Sequence, residues 1–290
     1  MMLLLRRSAL SARAGAQCAA LVGAASQSCP IVVSRSFSTG DATGATPSAP
    51  PQKKKYHNEP SLRVRVVPMF SDNYGFVVVD QNNQTMFAVD PAEPAKILEV
   101  LKEEEATKKR EFLGILTTHK HADHSGGNVE LAGEYPGLLV AGPEGEEIPA
   151  RNYPLKGGEK FKIGAAKIKV LSVPCHTKAH LAYVDMYRAL YEVILTLPKD
   201  TRVYCGHEYT MSNLRFALSV DPSNNVLRDK IAAVRIRRSK NLPSVPSTLR
   251  EEMLYNPFLR VHNDVIRNAV GGSDPVSVLE NLRARKDSFE

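Results

Sequence analysis

The sequence predicts an α/β domain followed by a small α-helical domain, on three observations. Between residues 62 and 205, short apolar runs alternate with turn residues and helical stretches, as in a sheet with interspersed helices. From residue 211 onward the pattern is helix after helix, with no convincing strand. The polar stretch Thr118-His119-Lys120-His121-Ala122-Asp123-His124 follows an apolar run and carries four metal-competent side chains. A rigid scaffold presents ligands from such a loop at a strand end.

Residues 62–70 read as a strand, 71–75 as turn chemistry, 76–79 as a second strand, 80–84 as a hairpin loop and 86–89 as a third strand. Asp90-Pro91 opens a helix with Ile97, Leu98 and Leu101 on one face. The run 112–117 is a buried strand that feeds the polar loop. A short helix is expected over 128–134 and a strand over 138–141. Residues 160–163 and 167–173 alternate around Gly164, as in a hairpin. The strand-like residues 181–184 pass into helix-like 185–190 without a turn signal, so two periods meet at Val184/Asp185 with no loop. Residues 202–205 form the last strand. Helical periodicity then covers 214–220, 226–239, 249–255, 264–270 and 276–286. Thr248 to Glu251 has capping-box spacing, and Gly271-Gly272 can end a helix.

The 290 residues are 43% apolar, enough for a substantial core. The formal charge of +7 is unevenly spread. Seven basic residues and one acid, Asp41, fall in the first 55, which leaves 31 basic against 30 acidic residues in the remainder. That near-neutral remainder gives no footprint for nucleic acid. Residues 1–38 are rich in Arg, Ser and Ala and free of acid, as a mitochondrial presequence directed to the matrix is. Met2-Leu3-Leu4-Leu5 is too short to span a bilayer, and no membrane segment is expected. Residues 39–60 form a Pro/Ser/Lys linker expected to be disordered. Of the four cysteines, Cys18 and Cys29 lie in the presequence. Cys175 and Cys205 sit in apolar surroundings, which suits reduced thiols.

Three imidazoles and a carboxylate suit Zn, with Fe or Mn as alternatives, rather than Ca or Mg, which prefer all-oxygen shells. The histidines that follow strands are His119, His121, His124, His176 and His207. With Asp123 they make two three-ligand groups if neighbouring loops converge. Alternating ligands along an extended loop diverge, so His119 and His121 can serve one ion while Asp123 and His124 serve another. Such a pair of divalent ions can hold a hydroxide and polarise a carbonyl. His57, His180 and His262 read as structural or solvated.

Thr118-His119-x-His121-x-Asp123-His124 resembles the signature of the metallo-β-lactamase fold. The resemblance implies an αββα sandwich with the metal site at one edge. It assigns His119, His121 and His176 to the first ion and Asp123, His124 and His207 to the second. Further segments resemble glyoxalase II, the hydroxyacylglutathione hydrolase family: Ser71-Asp72-Asn73-Tyr74, Pro174-Cys175-His176-Thr177, Val203 through Thr210, Tyr255 through Arg260, and Arg283-x-x-Lys286-Asp287. The similarity runs from about residue 61 to the C-terminus, which implies a metallo-β-lactamase domain over 61–210 and a helical glutathione-binding domain over 211–290. The implied reaction is hydrolysis of S-D-lactoylglutathione to glutathione and D-lactate by a monomeric enzyme, with Asp123 and His124 in the catalytic group. It also implies substrate contacts from Tyr209, Arg283 and Lys286. Arg283 and Lys286 stand three residues apart on one helix face, where a cationic pair suits a carboxylate.

The chain departs from this family in one place. Members carry a Gly-Asp-Thr-Leu-Phe segment between the second and third ligand turns, and its Asp bridges both ions. No such segment occurs here, and the loopless junction at Val184/Asp185 falls where it is expected. Its loss predicts a truncated sheet with an exposed edge and a weakened second metal site. Two alternatives follow: a catalytically impaired protein that binds glutathione conjugates, and a mononuclear-iron persulfide dioxygenase of the same fold.

Overall fold

The computed structural model describes residues 2–6, 31–34, 61–171 and 186–289, with side chains from residue 61 onward. The expected presequence and linker otherwise lie outside the described residues, as do His57, Cys175, His176, His180 and the Val184/Asp185 junction. The described chain forms two compact units, one of residues 31–34 and 61–171 and one of residues 2–5 and 186–289.

The short strands β1 (Met2–Arg6) and β2 (Ile31–Ser34) come first in the chain. In the unit that carries the metal loop, β3 (Leu62–Met69), β4 (Asn73–Asp80) and β5 (Thr85–Val89) form an antiparallel meander. Helix α1 (Pro94–Lys108) crosses over to β6 (Glu111–Leu116), which pairs parallel to β5. The helical turn α2 (Ala122–Ser125) and helix α3 (Asn128–Glu134) lead to β7 (Leu139–Pro143), and β8 (Tyr153–Leu155) completes the sheet. The strand order is β3-β4-β5-β6-β7-β8. The β4, β5 and β6 runs are almost continuously apolar, as strands covered on both faces must be. One face, with Val77, Val79, Met86, Ala88, Ile115 and Val140, packs on Ile97 and Leu101 of α1 and Leu131 of α3. Each such side chain contributes about 1.5–3 kcal/mol on burial.

Buried Glu104 ties α1 to the sheet. Its carboxylate accepts from Arg63 (2.7 Å), Arg65 (2.8 Å) and Arg110 (2.5 Å). Burial works to raise its pKa, but the Arg63 and Arg65 hydrogen bonds, with the charges of Arg63 and Arg110, win and hold it below the usual value. Beyond β8, β9 (Lys160–Ile163) and β10 (Ala166–Val170) form the expected hairpin, with Gly164 at a left-handed φ of 59°. Strand β2 pairs with the other edge of β10.

The other unit opens on a π-helical segment, Arg188–Ile194, and continues with β11 (Arg202–Cys205), which β1 and β12 (Ser247–Thr248) flank. The rest is helical: α4 (Thr210–Val220), α5 (Asn225–Arg238), α6 (Leu249–Tyr255), α7 (Asp264–Val270) and α8 (Pro275–Asp287), with a 3₁₀ turn at Pro257–Leu259. One core gathers Leu214, Leu227, Val234 and Tyr255, and a second gathers Phe216, Phe258, Ile266, Val278 and Leu282.

Local differences from expectation have physical causes. The Asn73–Gly75 portion of the expected turn is strand, because the β3–β4 ladder runs without interruption to Met69↔Asn73. Helix α1 starts at Pro94 and not at Asp90, whose carboxylate is engaged elsewhere. Thr248 precedes α6 without a side-chain cap, so the expected capping box is absent there. A capping box forms instead at Asp274 and Ser277, before α8.

Candidate metal centre

The metal loop leaves the C-terminal end of β6, next to the C-terminal end of parallel β5. Ligand sites in sheets with parallel strands collect at that end. Thr117 N–H bonds the Ala141 carbonyl, and Asp90 N–H bonds the Leu116 carbonyl, so both strand ends are pinned. The loop is not extended throughout. His119 and His121 precede α2, whereas Asp123 and His124 lie on that helical turn. Ser125 Oγ closes the turn on the Lys120 and His121 carbonyls (3.0 Å each).

Asp90 organises the site. It is fully buried at a left-handed φ of 48°. Its carboxylate accepts from Thr118 N–H (2.9 Å), Thr118 Oγ1 (2.8 Å) and His124 Nδ1 (2.7 Å). These bonds fix two tautomers. His124 donates from Nδ1, which puts its lone pair on Nε2, 3.3 Å from Asp123 Oδ2. Thr118 spends its hydroxyl proton on Asp90, so its oxygen accepts from His119 Nδ1 (3.2 Å). The His119 Nε2 lone pair then points at His121 Nδ1, 2.9 Å away. Burial, reinforced by the positive charge His124 can carry and opposed by Asp90, pushes the His119 pKa down to about 3. His119 is therefore neutral at ordinary pH, the form that ligates a metal.

Asn73, at the start of β4, donates from Nδ2 to both the carboxylate and the carbonyl of Asp123 (3.0 Å each). Glu146 accepts from the Lys120 backbone N–H (2.7 Å). Gly127 sits where α2 meets α3, and a Cβ there would lie 2.0 Å from the Pro91 carbonyl oxygen.

The donor set fits a divalent ion of borderline softness. Two nitrogens bound tetrahedrally at Zn–N lengths stand about 3.3 Å apart. His119 Nε2 and His121 Nδ1 need to part by only a few tenths of an ångström. Ligand atoms of Asp90, His119 and His124 also fall within 4.8 Å of one another. Hydrogen bonds that fix a ring's tautomer raise its quality as a ligand.

His119, His121, Asp123 and His124 thus come together in one unit, and His176 lies outside the described residues. His207 follows β11 in the other unit, where its ring stacks on Tyr209 (centroids 4.9 Å, planes 15° apart). Glu208 accepts from Ser244 N–H (2.8 Å) and Oγ (2.6 Å). Arg283 pairs with Asp287 on α8, and Lys286 lies over the Phe216 and Phe289 rings at 5.7 and 5.9 Å. Burial, with Arg283 nearby, lowers the Lys286 pKa against the pull of Asp287. His262 Nε2 lies 3.1 Å from the Tyr187 hydroxyl.

Residues 208–289 match the family described as hydroxyacylglutathione hydrolase C-terminus. The hydroxyacylglutathione hydrolase-like protein of Gallus gallus is 37% identical over 261 residues, covering 79% of this chain and 91% of that protein. The cytoplasmic hydroxyacylglutathione hydrolase of Arabidopsis thaliana is 33% identical, with 79% of this chain and 99% of that protein covered. The chain belongs to the hydroxyacylglutathione hydrolase family. Among solved structures, a metallo-β-lactamase from Staphylococcus aureus matches with a TM-score of 0.47 and 15% identity, covering 80% of this chain and 72% of that one. At that score the likeness adds no weight to the assignment, which rests on the sequence relatives.

The hydrolase alignment carries a further fact. It spans 261 positions but uses 79% of this chain's 290 residues, about 229. About 32 positions of the Gallus gallus alignment therefore face no residue here. That length suits the omission expected between the second and third ligand turns.

Sequence reasoning missed Asp90 and Asn73. Asp90-Pro91 reads as a helix start and Asn73 as turn chemistry, and both local signals compete with a tertiary role. The available signal was position, because Asp90 directly follows a buried strand adjacent to the metal strand.

Proposed function

We propose that the chain is a thioester hydrolase that converts S-D-lactoylglutathione and water to glutathione and D-lactate. The observation that carries this is family membership, joined to a His/Asp cluster in which hydrogen bonds hold His119 and His124 in the ligating tautomer. His119 and His121, with His176, would hold one ion, and Asp123, His124 and His207 would hold a second more weakly, Zn before Fe or Mn. Bound there, a divalent ion supplies hydroxide at neutral pH and polarises the thioester carbonyl.

The chain's own residues do the positioning. Asp90 orients His124 directly and His119 through Thr118. Asn73 fixes the Asp123 carboxylate, an acceptor suited to aligning a water proton. Tyr209, Arg283 and Lys286 would hold the glutathione moiety, with Arg283 turned from Asp287 toward the glycyl carboxylate. Glutathione leaves as the thiolate and takes a proton from solvent. The acid-free, Arg-rich N-terminus supports a mitochondrial matrix destination, and the protein would act as a monomer. No helix among the described residues is long and apolar enough to cross a membrane.

The test is turnover of S-D-lactoylglutathione by metal-loaded full-length protein. Hydrolysis that disappears in the His119→Ala variant is the expected result. Absence of turnover with metal bound would overturn the reading.

A further inference from the structure

The two N-terminal strands occupy sheet positions that a cleaved presequence could not fill. Strand β1 runs antiparallel to β11 with Met2↔Cys205, Leu3↔Tyr204, Leu4↔Val203 and Leu5↔Arg202. On the other side of β11, β12 reaches only Arg202 and Val203. Among the described ladders, β1 extends the pairing of β11 to Tyr204 and Cys205, which β12 does not reach. Those two residues immediately precede Gly206-His207. Strand β2 runs antiparallel to β10 with Ile31↔Val170, Val32↔Lys169, Val33↔Ile168 and Ser34↔Lys167. Strand β9 pairs with 166–169 on the opposite side, where Val170 also bonds the Glu159 carbonyl and the Gly158 N–H, so β2 covers the edge of β10 that β9 leaves open.

The sequence of both segments suits this placement. Met2-Leu3-Leu4-Leu5 is a continuous apolar run, and Ile31-Val32-Val33 is β-branched throughout. Neither contains an acid, Pro or Gly that would disfavour a ladder. Both segments lie within residues 1–38, whose Arg-rich, acid-free composition gives the N-terminus its presequence character. Strand pairing and cleavage cannot operate in one molecule, because the edges that β1 and β2 cover are bare once those strands are removed. An open edge of this kind exchanges its amides with water and recruits other strands.

We propose that the N-terminal segment is an intramolecular strand donor. In the chain that keeps it, β1 and β2 close the β11 and β10 edges and fix the register of the strand that delivers His207. In a chain processed near residue 38, both edges open. Processing thus changes the sheet as well as the destination.

Hydrogen exchange tests this without reference to catalysis. Full-length protein is compared with a chain beginning at Thr39, following peptides that cover 202–205, 166–170 and, as an internal control, 77–79. We expect at least tenfold faster exchange over 202–205 and 166–170 in the shorter chain and unchanged exchange over 77–79. A synthetic peptide of residues 1–34 should restore protection, and a scrambled peptide should not. If the shorter chain does not fold, full-length Leu4→Pro and Val32→Pro decide. Local loss of protection at β11 and β10 respectively supports the proposal. Equal exchange in the full-length and shorter chains, or in the proline variants and the parent, overturns it.

Discussion

Asp90 shows how one residue governs a site it was not expected to serve. It sits at the end of β5, in a left-handed conformation, and spends both carboxylate oxygens on Thr118 and His124. Replacing it by Asn puts an amide donor where Thr118 and His124 also donate. Asp90→Asn is therefore expected to weaken divalent-metal affinity about 10- to 100-fold, as losses behind a ligating His do. Metal titration of the purified variant, with near-native circular dichroism as the folding control, checks this. Unaltered affinity would remove Asp90 from the account. The ligand spacing was legible because three histidines and an aspartate in six positions have few other uses. Asp90 was not, because its partner lies 34 residues away and its neighbour Pro91 imitates a helix start.

At the scale of elements, the metal loop is held by two features of the crossovers around it. Gly127 lets α3 begin against Pro91, and Gly127→Ala should cost about 1–3 kcal/mol through the clash with that carbonyl. Urea denaturation would read the loss. Helix α1 is docked by Glu104, and Glu104→Ala leaves Arg110 buried without its carboxylate, at a cost of about 3–5 kcal/mol. The pH dependence has a definite sign. The folded pKa of Glu104 is lower than its ordinary value of 4.5, so its stabilisation is complete above that value and is lost as pH falls through the lower folded pKa. Glu104→Gln should flatten the acid limb of a stability–pH profile, and an acid limb as steep as the parent's would contradict this. Helix α5 is capped by Asn224, which accepts from the Leu227 N–H at 3.1 Å, and Asn224→Ala should cost about 1 kcal/mol by thermal unfolding. Helix periodicity made α5, α6, α7 and α8 readable. The capping box was misplaced because Thr248 is drawn into the β12 pairing with Arg202, which a local pattern does not contain.

For the whole molecule, the family alignment leaves about 32 positions without a counterpart, and the sequence lacks the Gly-Asp-Thr-Leu-Phe segment. Without the Asp that the family resemblance places between the two ions, the second site is weakened, and the purified chain is expected to bind fewer than two divalent ions per molecule, measured by elemental analysis after loading and desalting. Stoichiometric binding of two would contradict this. Chelation should lower the melting temperature, because binding to the folded state alone stabilises it by about 2.7 kcal/mol at a hundredfold excess over Kd.

The sequence by itself determined the class of the protein: strands then helices, a ligand-dense loop after a buried strand, a hydrolase-like set of motifs and an omitted segment. These are local periods and fixed spacings, which survive without knowledge of partners. Only the tertiary structure decided which side chain fixes the His119 and His124 tautomers, how the loop divides between an extended run and the α2 turn, and what pairs with β10 and β11. Those outcomes depend on contacts between residues tens to hundreds of positions apart, such as Asp90 with His124 and Met2 with Cys205. A composition that reads as an address can become a strand when a sheet offers it an unpaired edge.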